Sequence, residues 1–238
     1  MDMETDMVID FHAHILPGLD HGCKDEAESL VQLKSAAAEN IDVIVATSHF
    51  YPHMHTVEGF LNNRQEAVQK IMYLLSGYDE GEMPRVIPGA EVLVCTNMDK
   101  MPGLDKLCIE GTDIMLVELP FTKIWDKELV ETVVRMHTRN NIHVVLAHAD
   151  RYSYDAVMEL VGHGIDLQLN AESVCKLSKR GLCKKYIATG KVVALGSDVH
   201  GVSDAYKNYS KARKLLGTLS AKILEKTMDL LKNHGYDL

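Results

Sequence analysis

The stretch VIDFHAHILPGLDHG, residues 8–22, begins as a buried β-strand and places Asp10, His12 and His14 at every second position. Alternate side chains of a strand point to the same face, so these three polar groups share one side of the strand. His21 follows just after a Pro-Gly turn. Imidazoles on one face of a core strand indicate metal ligands, with the Asp10 carboxylate below His12 and His14 in a supporting position.

Six further apolar runs, rich in Val, Ile and Leu, are typical of strands covered on both faces. Helical patterns separate several of them, and residues 25–40 open with Asp25 three residues before Glu28, which resembles a capping box. This alternation predicts an α/β fold in which seven parallel strands form a closed or nearly closed barrel; a doubly wound open sheet is the alternative. The seven runs are 7–14, 42–50, 85–94, 113–120, 143–150, 165–172 and 192–200. The other helix candidates are 56–77, 127–141, 154–164 and 220–235.

The composition is ordinary for a globular protein, with 46% hydrophobic and 25% charged residues. No linker or repeat divides the chain, and we expect a single domain over residues 1–238. The formal net charge of −9 disfavours nucleic-acid binding, which needs basic surfaces. No apolar run is long enough for membrane insertion, and the N-terminal MDMETDM is acidic where a signal peptide is basic, so we expect a cytoplasmic protein. The five scattered cysteines predict reduced thiols.

Polar side chains end or interrupt most of the apolar runs. The carboxyl ends of parallel barrel strands open onto one face, so residues far apart in sequence converge there. Imidazole and carboxylate ligands suit Mn, Fe or Zn, and nine candidates exceed what two four-coordinate ions need. We therefore predict a cluster of two or three divalent ions, an arrangement typical of phosphate-ester hydrolysis. The candidates are His12, His14, His21, His49, Glu91, Glu118, His148, Asp198 and His200.

The remaining histidines are predicted to have no ligand role. Four of them are expected in helices or loops, where a hydrogen-bonded or exposed imidazole is the usual finding. They are His137, His143, His163 and His234. His53 and His55 are expected to be exposed loop residues near the mouth of the barrel.

Six motifs make the chain resemble the PHP family, named for polymerase and histidinol phosphatase, and within it the bacterial CpsB/CapC-type protein-tyrosine phosphatases. The resemblance runs from residue 8 to about residue 200, and HAHILPGLD-x-G-x-KDEAESL is quite specific to this branch. The motifs are DFHAHILPGLDHGCKDEAESL (10–30), VATSHFYP (45–52), PGAEV (88–92), VELP (117–120), AHADRY (147–152) and LGSDVH (195–200).

The resemblance implies a distorted (β/α)7 PHP-type barrel, with three metal ions, commonly manganese, at the carboxyl ends of the strands. It also implies which residues hold the ions. Arg151 would bind the phosphate of a phosphomonoester, because a guanidinium can donate to two phosphate oxygens at once. The first ion would be held by His12, His14, Glu91 and Asp198. The second would be held by Glu91, Glu118 and His148, with Glu91 bridging the two. The third would be held by His21, His49 and His200.

Two positions depart from the pattern of the close relatives. His21 stands where they usually carry a second Asp, which implies a retained third site with a different metal preference. After Asp198-Val199-His200 they usually carry another phosphate-binding arginine, whereas this chain has none until Arg213. Lys207 could substitute there, but only as a point charge.

The mechanism expected from this resemblance is attack of a metal-bound hydroxide on phosphorus, with Glu91 as the bridging carboxylate and Arg151 neutralising the phosphoryl oxygens. His200 or Asp150 would be the general acid. None of the cysteines lies in the C-x-x-x-x-x-R loop of cysteine-dependent tyrosine phosphatases.

The expected substrate is a phosphotyrosine protein, namely a bacterial tyrosine kinase of capsule or exopolysaccharide synthesis. A homo-oligomer is left open. The alternatives are a PHP phosphatase for a small metabolite, such as histidinol phosphate or a sugar phosphate, and a metal-binding regulatory protein without turnover. A nuclease is disfavoured by the acidic charge.

Overall fold

Each of the seven predicted apolar runs contains a β-strand in the computed structural model, which describes residues 7–122 and 124–237. The acidic segment 1–6 and residues 123 and 238 of the predicted 1–238 domain lie outside the described residues. Three of the runs break into two strands each. The strands are β1 (Ile9–His14), β2 (Val43–Ala46), β3 (His49–Phe50), β4 (Arg85–Pro88), β5 (Glu91–Leu93), β6 (Ile114–Glu118), β7 (His143–Leu146), β8 (Asp166–Asn170), β9 (Val192–Gly196) and β10 (Val199–His200).

These strands pair in parallel in two sheets, with the orders β10-β1-β2-β4 and β3-β5-β6-β7-β8-β9. The last run, 192–200, pairs with β8 through its first half and with β1 through its second half. The pairing therefore passes through all seven runs in chain order and returns to the first. A doubly wound sheet would reverse the strand order at a switch point, so that alternative is wrong. The fold is the predicted parallel α/β arrangement, distorted by the strand breaks that divide it into two sheets.

All five predicted helices are confirmed, and their capping explains where some of them begin. The Asp25 carboxylate accepts a hydrogen bond of 2.9 Å from the Glu28 N–H, as the capping-box pattern predicted. Three further helices, α5 to α7, were not predicted. The first has only five residues, and the second buries only Cys183 and Tyr186, whereas the third carries a stripe of buried residues, including Tyr206, Tyr209 and Leu216, that was missed. Within the described residues the helices are α1 (Glu26–Ala38), α2 (Val57–Leu75), α3 (Lys127–Arg139), α4 (Tyr154–Gly162), α5 (Ala171–Cys175), α6 (Leu177–Ala188), α7 (Ala205–Leu216) and α8 (Thr218–Asn233).

The strands are buried on both faces, which explains why their sequences are continuously apolar. Every residue of β1, β2, β6, β8 and β9 is buried. None of the helices in residues 7–122 and 124–237 combines the length and apolar composition that crossing a membrane requires.

The strand register brings predicted ligands side by side at the carboxyl ends of the strands. His14, the last residue of β1, lies opposite His200 of β10. His49 of β3 lies opposite Glu91 of β5, although 42 positions separate them in the sequence. Register in a parallel sheet is set by packing of whole strands, so these neighbours are consequences of the fold and not of local sequence.

Candidate metal centre

The first group of donor atoms comes from β1, β5 and the turn after β9. The Nε2 atoms of His12 and His14 lie 3.1 Å apart. Glu91 Oε2 lies 3.2 Å and 3.3 Å from these two nitrogens, and Asp198 Oδ1 lies 3.6 Å and 3.5 Å from them. Four donors around a tetrahedral ion with bonds of about 2.0–2.1 Å lie roughly 3.3–3.4 Å apart. The spacing of these four donors therefore fits a single metal ion at their centre.

A second group of donors uses the same Glu91 carboxylate. His148 Nε2 lies 2.7 Å from Glu91 Oε1 and 3.8 Å from Glu118 Oε2. His49 Nδ1 lies 3.1 Å from Glu91 Oε2 and 3.5 Å from Glu118 Oε1. Glu91 thus presents one oxygen to His148 and the other to the histidines of the first group. A carboxylate placed in this way has the geometry of a bridge between two ions.

A third group surrounds His200. Donor atoms of His14, His49 and His200 lie within 4.8 Å of one another. His200 Nε2 is buried and has no hydrogen-bond partner among the described residues. The exposed His21 ring stacks on His49 and His200, with centroid distances of 4.7 Å and 4.6 Å, but His21 belongs to none of the three donor groups found in the described residues. His21 would have to turn its ring to become a ligand.

Hydrogen bonds fix which nitrogen of three histidines faces the centre. The Nδ1–H of His12 donates to Gln168 Oε1 at 3.2 Å, that of His14 to Asp20 Oδ2 at 2.8 Å, and that of His200 to the Asp198 carbonyl at 3.0 Å. Each of these imidazoles therefore keeps its Nε2 lone pair for the centre. Metal-binding histidines characteristically donate their second nitrogen to a carboxylate, amide or carbonyl oxygen in this way.

Three orienting residues, Asp20, Gln168 and Asn170, were missed by the sequence interpretation. Gln168 Nε2 donates to Asn170 Oδ1 at 3.0 Å, and Asn170 Nδ2 donates to Asp198 Oδ2 at 2.8 Å. A sequence signal for two of them existed: Gln168 and Asn170 alternate along an apolar strand, as His12 and His14 do.

Asp10 has the supporting position that was predicted for it. Its carboxylate accepts hydrogen bonds from the Ser197 N–H and hydroxyl at 2.7 Å and 2.6 Å, and from the His12 N–H at 3.3 Å. Burial raises the pKa of Asp10 to about 6, although these hydrogen bonds oppose the rise. Asp10 thereby ties β1 to the turn that carries Asp198.

The backbone is unusual at two of the candidate ligands. His148 and Asp198 adopt the left-handed conformation, with φ of 33° and 52°. Non-glycine residues held in this region are characteristic of functional sites, where the surrounding structure over-determines them. Gly196 allows β9 to lie close to β1, since a Cβ atom at position 196 would lie 2.5 Å from the Cβ of His12. A side chain at position 196 would push β1 away from the centre.

The charges of the buried carboxylates dominate this cluster. Burial lowers the pKa of His12 and His14, but the nearby carboxylates outweigh it and raise the pKa of both. For His14, hydrogen bonds to Asp20 and Glu91 raise the pKa to about 10. Despite burial, the charges of His12, Arg151 and His14 lower the pKa of Asp198 to about 2. The site is therefore one that positive charge stabilises, and a divalent ion would compete with protons for it.

Arg151 lies at the edge of the cluster. Its guanidinium bonds the Asp198 carboxylate, and its side chain is 38% exposed. Among the described residues, Asp198 is the carboxylate that pairs with Arg151. Asp150 is buried and accepts a hydrogen bond of 2.8 Å from the Asn170 N–H, whereas 30% of the His200 side chain is exposed.

The other histidines lie outside the cluster, with two corrections to their predicted positions. His143 begins β7, so its placement in a helix or loop was wrong; it contacts Asp166 with 2.9 Å between Nε2 and Oδ2. His137 is in α3, and His163 and His234 directly follow α4 and α8. His53 is exposed as expected. The predicted exposure of His55 was wrong, because its ring is half-buried and accepts the Tyr51 N–H at 3.1 Å.

Comparison with known proteins identifies similar sequences and structures. The sequence model of the family described as "Capsular polysaccharide synthesis, CpsB/CapC" matches residues 8–232. Tyrosine-protein phosphatase YwqE of Bacillus subtilis (strain 168) is 29% identical over 120 residues, which cover 49% of this chain. The match spans about half the length of that relative, namely 45%.

Among solved structures, that of YwqE from Bacillus subtilis and CpsB from Streptococcus pneumoniae, described as unique metal-dependent tyrosine phosphatases, superposes with a TM-score of 0.80 and 22% identity. The superposition covers 97% of this chain and 96% of that one. A Xaa-Pro dipeptidase with bound methionine in its active site gives a TM-score of 0.51 at 12% identity, covering 95% and 74% of the two chains. At these identities the likeness establishes the fold.

Proposed function

Because the chain belongs to the CpsB/CapC family of capsular polysaccharide synthesis proteins, we propose that it is a metal-dependent phosphatase that hydrolyses phosphotyrosine. The observation that carries the proposal is the set of four donors from His12, His14, Glu91 and Asp198, spaced for one ion and joined through Glu91 to a second set. Its similarity to YwqE, itself a tyrosine-protein phosphatase, supports the choice of substrate.

The donor chemistry supports two to three ions, with manganese as the first choice and iron or zinc as alternatives. In this proposal the ligands are those that the resemblance implied, with His49 also near Glu91 and Glu118. When bound, the ions activate water and neutralise charge on the phosphoryl group.

The role of His200 in this proposal depends on the number of ions. Its Nδ1 already donates to the Asp198 carbonyl, so only Nε2 remains for chemistry. That nitrogen either binds a third ion or gives a proton to the leaving phenolate, but cannot do both. Burial, with the charge of His14, lowers the pKa of His200 to about 4. A depressed pKa favours the neutral imidazole and therefore the ligand role.

Arg151 binds the phosphoryl oxygens. A guanidinium carries five N–H donors, so contact with Asp198 leaves others free for substrate. The pairing also holds the guanidinium beside a ligand, where a phosphoryl group must lie to be hydrolysed. No second arginine follows between His200 and Arg213, and Lys207 pairs with Asp204 at 2.8 Å. Arg151 thus carries most of the phosphate recognition contributed by side chains.

The physiological substrate in this proposal is a phosphorylated tyrosine of a bacterial tyrosine kinase that acts in capsule or exopolysaccharide synthesis, and the reaction takes place in the cytoplasm. Residues 1–238 act as one catalytic domain. One other candidate is a phosphatase for a small phosphate ester, because the second arginine that the resemblance associates with phosphotyrosine substrates is missing from this chain.

The proposed function is tested by comparing specificity constants on a phosphotyrosine peptide, histidinol phosphate and a sugar phosphate, with manganese present. We expect the phosphotyrosine peptide to be the best substrate by at least about tenfold. A preference for either metabolite would transfer the assignment to the second candidate. Failure to hydrolyse any of the three, in protein shown to contain metal, would favour a regulatory metal-binding role.

Arg151→Ala is expected to lower the specificity constant for a phosphotyrosine peptide by about 30- to 1,000-fold, or ~2–4 kcal/mol, because a charge-assisted contact to phosphate is lost. Arg151→Lys should recover only part of the lost specificity constant, since a lysine ammonium lacks the forked pair of N–H donors of a guanidinium. Elemental analysis of the same preparations should find unchanged metal content, although Arg151 contacts Asp198. Arg139→Ala, at an exposed arginine ending α3, is the matched control. Wild-type kinetics in Arg151→Ala would remove Arg151 from phosphate binding.

Alkylation of the cysteines is expected to leave turnover of a small aryl phosphate within about twofold. All five cysteines lie within the described residues as free thiols, and Cys95 is the exposed one. Burial raises the pKa of Cys23 to about 11 and that of Cys108 and Cys183 to about 12, so these thiols react slowly. Mass spectrometry counts the modified residues. Stoichiometric inactivation that a phosphate analogue prevents would instead indicate a cysteine nucleophile.

A further inference from the structure

An exposed aromatic ring borders the candidate centre. Phe121 follows β6, three positions after Glu118, and 62% of its surface is exposed. Its ring centroid lies 5.5 Å from that of His148, and the guanidinium carbon of Arg151 lies 6.0 Å from the same centroid. Phe121 is therefore beside both a candidate ligand and the candidate phosphate-binding arginine.

The position of this ring is fixed by the residues beneath it. Tyr152 is buried and stacks on Phe121 with a centroid distance of 5.4 Å and an interplanar angle of 17°. The Tyr152 hydroxyl accepts the Leu119 N–H at 2.9 Å and donates to the Leu119 carbonyl at 3.0 Å. These bonds anchor the backbone two residues before Phe121.

A second anchor comes from Trp125. Its ring packs edge-on against Tyr152 at 5.0 Å, and its indole N–H donates to the Pro120 carbonyl at 3.0 Å. The segment thus holds an apolar ring in solvent, where exposed apolar surface contributes nothing to folding. A fixed, solvent-facing ring beside a reaction centre is arranged for contact with a ligand.

We infer that Phe121 is a specificity-determining residue that stacks on the aromatic ring of the substrate, and so selects aryl phosphates over alkyl phosphates. The inference rests on the proposed function and adds a residue that contacts the aryl part of the leaving group. Arg151 holds the phosphoryl group beside Phe121, and the aryl ring is joined to that group through the single ester oxygen. Aromatic rings interact favourably at centroid distances of about 4.5–7 Å, whereas a small alkyl group has no ring to stack.

The test compares phenyl phosphate, a phosphotyrosine peptide and glycerol 2-phosphate with wild-type, Phe121→Ala, Phe121→Leu and Phe121→Trp enzymes. Phe121→Ala should lower the specificity constant for the two aryl esters by about 3- to 10-fold, mainly through KM, and leave that for glycerol 2-phosphate unchanged. Phe121→Leu should behave similarly, because it keeps bulk but loses the ring, and Phe121→Trp should retain the aryl preference. Ile124→Ala, at an 83% exposed residue of the same segment, is the matched control and should match wild type.

The outcomes are separated by the ratio of the specificity constant for an aryl ester to that for glycerol 2-phosphate. Comparing this ratio between variant and wild type removes the difference in leaving-group reactivity, because that difference is the same for both enzymes. Equal losses on all three esters would mean that Phe121 acts through Arg151 or His148, and would overturn this inference alone. A Phe121→Ala enzyme with the wild-type ratio of aryl to alkyl specificity constants would also overturn this inference. A wild-type enzyme that hydrolyses glycerol 2-phosphate but neither aryl ester would overturn the proposed function itself.

Discussion

Removal of the metal ions is expected to abolish phosphatase turnover and to leave the chain folded. In the proposed mechanism the ions activate water and neutralise the phosphoryl group, and the side chains around them have no substitute for either effect. The core is held by apolar strands buried on both faces, independently of the centre. Manganese should restore activity better than magnesium, because an imidazole-rich donor set favours transition metals over hard cations.

The measurement combines chelation, elemental analysis and steady-state kinetics on one preparation, with circular dichroism to monitor the fold. Re-addition of manganese, magnesium and zinc in parallel then ranks the metals. Turnover that persists in protein shown to be free of metal would eliminate the metal mechanism. Better activation by magnesium than by manganese would exclude the proposed histidine ligands from the catalytic site.

Glu91→Ala is expected to lower kcat by at least about 10³-fold, corresponding to roughly 4 kcal/mol, and to remove at least one ion from the protein. Glu91 is buried, and its two oxygens contact His12, His14, His49 and His148 at 2.7–3.3 Å. Its loss therefore breaks two donor groups at once. His12→Ala opens only the first group and should be less damaging, with a loss of at least about 10²-fold.

Two controls make the Glu91 result specific. Glu91→Gln keeps the shape but removes the charge, and should retain the fold while losing metal and activity. Glu159→Ala removes an exposed carboxylate of α4 and should match wild type in metal content and kcat. A Glu91→Ala protein with full metal content and near-normal kcat would show that Glu91 is not a ligand.

The fold could be predicted from the sequence because its signals are local. The apolar runs are continuous because parallel strands are covered on both faces, and the alternation of Asp10, His12 and His14 follows from the two-residue period of a strand. A capping residue such as Asp25 acts within one helical turn, so its effect is also visible in a few residues of sequence.

The convergence of the candidate ligands on one face was also expected from the sequence, because the carboxyl ends of the strands of a predicted parallel barrel open onto one face. The residues that orient them did not. Gln168 contacts His12 from another strand, and Asp20 contacts His14 through a folded-back turn. Sequence separation carries no information about such contacts, although alternation on the run 165–172 was a usable signal.

What the sequence by itself determined was therefore the set of strands, their parallel order and the residue types at their ends. Only the tertiary structure decided which donor atoms share a centre, that Arg151 pairs with Asp198, and that Phe121 stands beside both Arg151 and His148. The physical reason is that periodicity fixes the face of a strand on which a side chain lies, within a few residues. The distance between side chains on different strands depends on register and strand breaks, which the packing of the whole chain sets cooperatively.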